Sequence, residues 1–287
     1  MRYLVAFLGL FLPLTAQAFE APLSDDAWAA KSRPTYGQSE VFGKHTHGCI
    51  QGAQALPLSG TGYVVIRHQR NRYWGHPTLL AFVKKVGAAA YSQRLATLMV
   101  GDLGQPRGGP ISGHGSHESG LDVDIWLKLL PPRIAADPNA FMKPKEISVV
   151  VDKRKDKISP DHWRPEQGTL IMIAAQQPEV DRIFVNPAIK KELCRTAGSD
   201  RAWLRKVRPW YNHTGHMHVR LRCPEGSPDC QQQSALPPGD GCGQSLAWWF
   251  TEGPYKPKPK TKTSSKPRKP KPLPKACHRI YQEKAKI

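Results

Sequence analysis

Gly120-Leu121-Asp122-Val123-Asp124-Ile125-Trp126-Leu127 alternates apolar and other side chains along most of its length, and a strand sends successive side chains to opposite faces. Leu121, Val123, Ile125 and Leu127 can then enter a core, while Asp122 and Asp124 share the opposite face. Much later, His216-Met217-His218-Val219-Arg220-Leu221-Arg222 repeats the pattern. Met217, Val219 and Leu221 are apolar, so His216, His218, Arg220 and Arg222 project the other way. Pairing these two segments as neighbouring antiparallel strands sets Asp124 beside His218 on the polar face of one sheet.

Both strands are entered through turns that carry more histidine. Gly113-His114-Gly115-Ser116-His117 precedes the first, with Ser119-Gly120 as the turn, and His213-Thr214-Gly215 precedes the second. Imidazole nitrogens and a carboxylate oxygen converging from two segments can hold one divalent metal, with water completing a four-coordinate hydrolytic centre. An isolated His-x-His on a strand is a weak sign of metal binding. The co-occurrence of two such polar faces, each backed by apolar residues, is what points to a metal site. His45 and His47 form another His-x-His, but no carboxylate pattern accompanies them, and they read as a surface pair.

The rest of the body mixes helix and strand without an internal repeat. Tyr63 to Ile66 reads as a strand, His76-Pro77 through Gly87 as a helix with Leu79, Leu80, Phe82, Val83 and Val86 near one face, and Leu95 to Val100 as a buried strand. A Gly/Pro-rich loop from Gly104 to Gly115 then delivers the first histidines. Pro165 to Gln177 suits a helix and Asp181 to Val185 a strand. Asn186-Pro187 opens another helix, with Asn as cap and Pro at the first position. These elements predict a single α+β body with a central antiparallel sheet carrying the site and helices around it, rather than a doubly wound fold.

The termini differ from that body. Arg2, the apolar run Leu4 to Leu14 and Ala16-Gln17-Ala18 form the pattern of a cleavable secretory signal over residues 1–18. That run is shorter than the ~20 residues a spanning helix needs, and no later stretch is apolar enough to cross a bilayer. The formal net charge of +19 is concentrated near the C-terminus, where Lys256, Lys258, Lys260, Lys262, Lys266, Arg268, Lys269, Lys271 and Lys275 alternate with prolines. Proline blocks helix and ladder hydrogen bonding and the lysines repel, so 254–275 reads as an extended arm, either a spacer or an electrostatic attractor for an anionic polymer. The domain reading is a signal over 1–18, a body over 19–253, the arm, and a tail over 276–287. Six cysteines (Cys49, Cys194, Cys223, Cys230, Cys242, Cys277) and no C-x-x-C favour structural disulfides in an exported chain, with about fifteen pairings open. Cys223 and Cys230 flank a short turn-rich segment, and Cys277 suits a staple that ties the tail back.

His117-x-x-Gly120-x-x-x-Asp124 with His216-x-His218 resembles the LAS group of zinc peptidases. Ser112 to His117, Gly120 to Ile125, Arg182-Ile183-Phe184-Val185-Asn186-Pro187-Ala188-Ile189 and Trp203 to Trp210 look specifically like its penicillin-insensitive murein endopeptidase branch, a likeness running from about Gly48 to the final cysteine. The resemblance implies Zn2+ held by His117, Asp124 and His218, with His114 as an additional ligand or as a donor behind them. It places a histidine, His213, where most of the group carries a glutamate base. His216 is implied to bond the metal-bound water or the developing oxyanion, and either His213 or His216 can accept the proton. The implied disulfides are Cys49 with Cys277, Cys194 with Cys242, and Cys223 with Cys230.

The implied reaction is hydrolysis of the D-alanyl to meso-diaminopimelyl amide that cross-links peptidoglycan stems, in the periplasm. Stems carry free carboxylates, so Arg107 in the loop or Arg220 and Arg222 on the strand are candidates to orient them. Asp122, on the face of Asp124, is a candidate to orient His117 or His114. No Gly-x-Ser-x-Gly elbow or Ser-x-x-Lys set is present, which predicts insensitivity to β-lactams. The competing readings are a D,D-carboxypeptidase or dipeptidase on the same scaffold, a noncatalytic wall-binding protein, and a basic metal-dependent nuclease. The export signal opposes the last, and no specific nucleic-acid partner is expected.

Overall fold

Asp122–Trp126 and His216–Leu221 lie side by side and antiparallel, with His218 opposite Asp124, Arg220 opposite Asp122 and His216 opposite Trp126. The computed structural model describes residues 20–143, 149–152, 156–256 and 271–285. The leader over 1–18 and most of the basic arm fall outside those residues. Seven strands build the sheet: β1 Ser59–Gly60, β2 Tyr63–Val65, β3 Leu98–Val100, β4 Asp122–Trp126, β5 Val180–Val185, β6 Val207–Pro209 and β7 His216–Leu221, in the order β6-β5-β7-β4-β3-β2-β1.

The sheet is mixed, which corrects the antiparallel expectation. Neighbours β5 and β7, β7 and β4, and β4 and β3 are antiparallel, whereas β2 with β3 and β5 with β6 are parallel. The cause is the connections. Helix α1, Pro77–Ser92, intervenes between β2 and β3, and helix α3, Pro187–Thr196, intervenes between β5 and β6. A helical crossover returns the chain in its starting direction, so each of these strands pairs parallel with its predecessor.

The helices start where their caps place them. His76 has an extended backbone, its side chain accepts the Thr78 N–H, and Pro77 fills the first turn. Asn186 does the same for α3 by accepting the Ala188 N–H. Helix α1 runs five residues past the expected stop at Gly87, through Ala88-Ala89-Ala90, which are strong helix formers. Gly87 is a contact point instead: a Cβ there would meet the Thr61 carbonyl oxygen at 2.9 Å. Leu79, Phe82, Val83 and Val86 pack with Leu121, Val123, Ile125, Met217, Val219 and Leu221, and with helix α2, Pro165–Gln176, in one core beneath the sheet.

A second, smaller core lies at the chain's end. Helix α4, Lys275–Gln282, buries Cys277 and Ile280 against Trp28, Phe42 and Leu273. Disulfides join Cys49 to Cys277, Cys194 to Cys242 and Cys223 to Cys230, with Cα separations of 5.7, 5.8 and 5.7 Å, inside the usual range. Among the described residues no helix is long and apolar enough to cross a membrane.

Candidate metal centre

The polar face of β4 and β7 converges on Asp124, whose side chain is almost fully buried. His218 Nδ1 stands 3.3 Å and His117 Nε2 3.4 Å from its Oδ1, while His114 Nδ1 and His216 Nε2 each stand 3.7 Å from Oδ2. Donor atoms of His114, His117 and Asp124 all lie within 4.8 Å of one another, a spacing that three ligands of one ion can adopt. His218 adjoins this group through Asp124, with its ring centroid 4.6 Å from that of His117.

Second partners fix the tautomers that metal binding needs. His117 Nδ1 is 2.7 Å from the Leu103 carbonyl oxygen, which can only accept, so Nδ1 carries the proton and Nε2 the lone pair. That Nε2, Asp124 Oδ1 and His218 Nε2 are buried without a hydrogen-bond partner. Buried polar atoms are costly unless satisfied, so the unpartnered His117 Nε2 and Asp124 Oδ1, 3.4 Å apart, fit an ion better than a packed core, whereas His218 Nε2 faces Asp122 and it is Nδ1 that turns to Asp124. His114 Nε2 lies 3.1 Å from Asp102 Oδ2, a carboxylate behind an imidazole, as metal-ligating histidines commonly have.

Asp122 is the anchor beneath this arrangement. Its carboxylate accepts from the His117 backbone N–H at 3.1 Å, which pins a residue held in the left-handed region at φ 72°, and from Arg220 through both Nε and Nη2 at 2.9 Å. His218 Nε2 is 3.4 Å from the same carboxylate. Burial pushes the Asp122 carboxyl up, but Arg220, His218 and His45 outweigh it and hold it well below the usual carboxylate range. Burial likewise opposes ionisation of Asp124, and the facing His117 and His216 reverse the sign and hold it, too, well below the usual carboxylate range. Both stay ionised as a metal would require. Burial lowers His218, yet Asp122 and Asp124 win and raise it.

One side of the centre opens to a cleft of about 820 Å3 bordered by His213, His216, Phe184 and the aromatic ledge Trp210, Tyr211 and Trp249. His213, at φ 45°, donates from Nδ1 to the Tyr211 carbonyl at 2.6 Å, which leaves Nε2 as an acceptor. Its ring centroid is 5.0 Å from that of His216. Burial and the neighbouring His216 and His218 push His213 down to about 4, so the ring is neutral at neutral pH.

The family model described as penicillin-insensitive murein endopeptidase matches residues 41–282. The protein of that name from Klebsiella pneumoniae strain 342 is 47% identical over 238 residues, covering 83% of this chain and 86% of the relative. That of Pectobacterium atrosepticum is 46% identical over 278 residues, 96% of both chains, and that of Yersinia pestis bv. Antiqua strain Antiqua is 48% identical over 228 residues, 79% and 82%. The chain belongs to the penicillin-insensitive murein endopeptidase family.

Some of the expected site residues stand elsewhere in the structure. Arg107 is buried away from the histidines, donating to the Arg33 carbonyl and to the Ile280, Tyr281 and Glu283 carbonyls at the end of α4. Arg220 borders the cleft but spends most of its guanidinium on Asp122, with the remaining Nη1 on Gln233. His45 is not on the surface: it is buried, with Nε2 3.0 Å from the Leu221 carbonyl, while His47 meets the Pro272 carbonyl at 2.9 Å. Both serve backbone carbonyls.

Asp102, just beyond the strand read over Leu95 to Val100, is a site residue that the sequence patterns do not single out. It is 5% exposed and binds Arg70, Arg72 and His114 through one oxygen, Oδ2. An acidic residue two positions past the buried strand β3, at the sheet end that carries the first histidine loop, was the available signal.

Proposed function

We propose that this protein is a zinc metalloendopeptidase that hydrolyses the D-alanyl to meso-diaminopimelyl amide of cross-linked peptidoglycan stems, and that it works in the periplasm. The observation that carries the reading is buried Asp124 ringed by four imidazoles, with the lone pairs of His117 Nε2 and Asp124 Oδ1 unpartnered. His117, Asp124 and His218, with His114 behind or beside them, would hold the ion. When bound, zinc lowers the pKa of its water toward ~7 and polarises the substrate carbonyl.

The remaining steps fall to side chains. His213 Nε2 is a neutral acceptor facing the cleft, fixed by its Nδ1 bond to Tyr211, and takes the proton of the attacking water. His216, between His213 and Asp124, donates to the oxygen on which charge develops. Asp122 and Arg220 hold the His117 loop at its working position. The aromatic ledge beside the histidines gives a long polymer a face to lie on. Without an acyl-serine in the scheme, β-lactams have nothing to trap.

Digestion of isolated sacculi by the unaltered protein and by His218→Ala, with muropeptide analysis, tests the reading. Cross-linked dimers should fall and monomers rise with the unaltered protein alone. Release of only a terminal D-alanine from linear stems would favour the carboxypeptidase alternative, and sacculi binding with no hydrolysis would favour a wall-binding protein.

A further inference from the structure

A second cavity, of about 470 Å3, shares His114, Asp124 and His216 with the metal centre but not the aromatic ledge. Three arginines border it: Arg67, Arg70 and Arg72. They come from one turn after β2, fixed by backbone bonds from Ile66 N–H to Val100 O, Arg67 N–H to Phe141 O and Asn71 N–H to His68 O, each 2.9 Å. Arg67 and Asn71 both adopt left-handed backbone conformations, at φ 54° and 55°, so the turn folds tightly and turns its side chains toward the cavity.

The charges around this cavity do not cancel. Among the described residues that border it, Asp102 is the one carboxylate besides Asp124, and its Oδ2 already serves Arg70, Arg72 and His114. Arg72 is used up, with further bonds to the Ser112 carbonyl and hydroxyl. Arg70 gives one nitrogen to Asp102 and is otherwise exposed. The Arg67 side chain makes no hydrogen bond or ion pair among the described residues; its guanidinium lies over the Trp126 ring, 5.2 Å from the centroid. Trp126 is itself anchored by its Nε1 bond to the Gly101 carbonyl at 2.8 Å, and its ring stands 5.1 Å from that of His216. A planar cation with free donors is thereby held at a set distance from the reacting centre.

We propose that Arg67, with Arg70 beside it, forms a carboxylate subsite that grips a free carboxylate of the peptide stem next to the scissile amide and so selects anionic cross-links. The inference rests on the endopeptidase reading. Guanidinium presents paired N–H donors that match a carboxylate, and stacking on Trp126 fixes its plane while leaving those edges open. Arg67 is a specificity residue: it touches the substrate but handles no proton. The role that sequence assigned to Arg107 and Arg220, both committed to fold contacts, falls here instead.

The test uses the zinc-loaded mature protein and two purified cross-linked muropeptide dimers, one with its stem carboxylates free and one with them converted to carboxamides. The unaltered protein should cleave the acid dimer with the higher kcat/KM. Arg67→Gln should lower that preference about 10- to 100-fold, the range of one charge-assisted hydrogen-bonded contact, chiefly through KM. Arg67→Lys, which keeps the charge but not the planar pair of donors, should recover part of it. Equal losses on both dimers would show that Arg67 serves the fold and would overturn the subsite, as would an unaltered protein that treats the dimers alike. If the unaltered protein cuts neither dimer, the endopeptidase reading fails and the subsite falls with it.

Discussion

Two buried charged sites among the described residues, Arg107 and Asp124, end in opposite states. At the C-terminal corner, Arg107 sits at 3% exposure with its donors on four backbone carbonyls, three of them at the open end of α4. Terminal carbonyls of a helix lack intrahelical partners, and a cation there answers both the hydrogen-bond deficit and the helix dipole. At the centre, Asp124 and His117 are buried as deeply but leave Oδ1 and Nε2 without partners. Satisfied burial marks a strut; unsatisfied burial, opening on a cleft, marks a place kept for something else.

The sharpest way to break this comparison is Asp124→Asn. It should retain the fold, because the β4 and β7 ladder is untouched, yet reduce sacculus hydrolysis by about 10³-fold or more and lower bound zinc in elemental assay. Near-normal hydrolysis would mean that the unpaired atoms are not a metal seat. Chelation followed by zinc addition should switch the activity of the unaltered protein off and on while leaving Asp124→Asn unchanged.

His213→Ala should cost about 10²-fold in kcat with little change in KM or zinc content, the pattern of a lost proton acceptor. With the ring pushed down to about 4, it stays neutral above that pH, so this group predicts no acid limb until the pH approaches 4. An activity profile of the unaltered protein that falls steeply near pH 6 would transfer the base role elsewhere.

Arg107→Met should behave in the contrary manner. Removing the guanidinium strands four carbonyls and should lower unfolding free energy by about 2 to 4 kcal/mol, read by denaturant titration, while hydrolysis per folded molecule stays within about twofold. A selective loss of activity would move Arg107 back to the substrate.

The smallest effect belongs to Asp102. Burial would raise its carboxyl, but the bond from His114 and the charges of His114, Arg70 and Arg72 leave it below the ordinary value. A carboxyl depressed in the fold stabilises fully above the unfolded value near 4 and loses that contribution as the pH falls through the folded value. Asp102→Asn should therefore flatten the fall of Tm below about pH 4 and lower Tm slightly at pH 7. An unchanged acid profile would show that the contacts of Asp102 with His114, Arg70 and Arg72 together carry no net energy.

What sequence disclosed was what local periodicity controls. Met217, Val219 and Leu221 against His216, His218 and Arg220 fixed the faces of β7, and the caps at His76 and Asn186 fixed two helix starts. The parallel pairings were hidden because they depend on where crossover helices return the chain, which no window of residues around β2 or β5 records. Arg107, His45 and Asp102 escaped for a related reason. Arg107 bonds carbonyls 173 to 176 residues away and His45 one 176 residues away, so their burial is decided by partners with no local pattern. The histidine loop showed its residue types plainly but not its geometry, since the left-handed backbone of His117 is held by Asp122 from the following strand.

The bond between Cys49 and Cys277 gives the far end of the chain a second covalent route to the body. A protease that cleaved anywhere between Tyr255 and Pro272 would sever the main chain yet release nothing: the two fragments would migrate as one species until a thiol reductant separated them. Loss of the basic segment's continuity and loss of the terminal helix are thus independent events in this molecule, the first needing only a peptidase and the second a reducing agent as well.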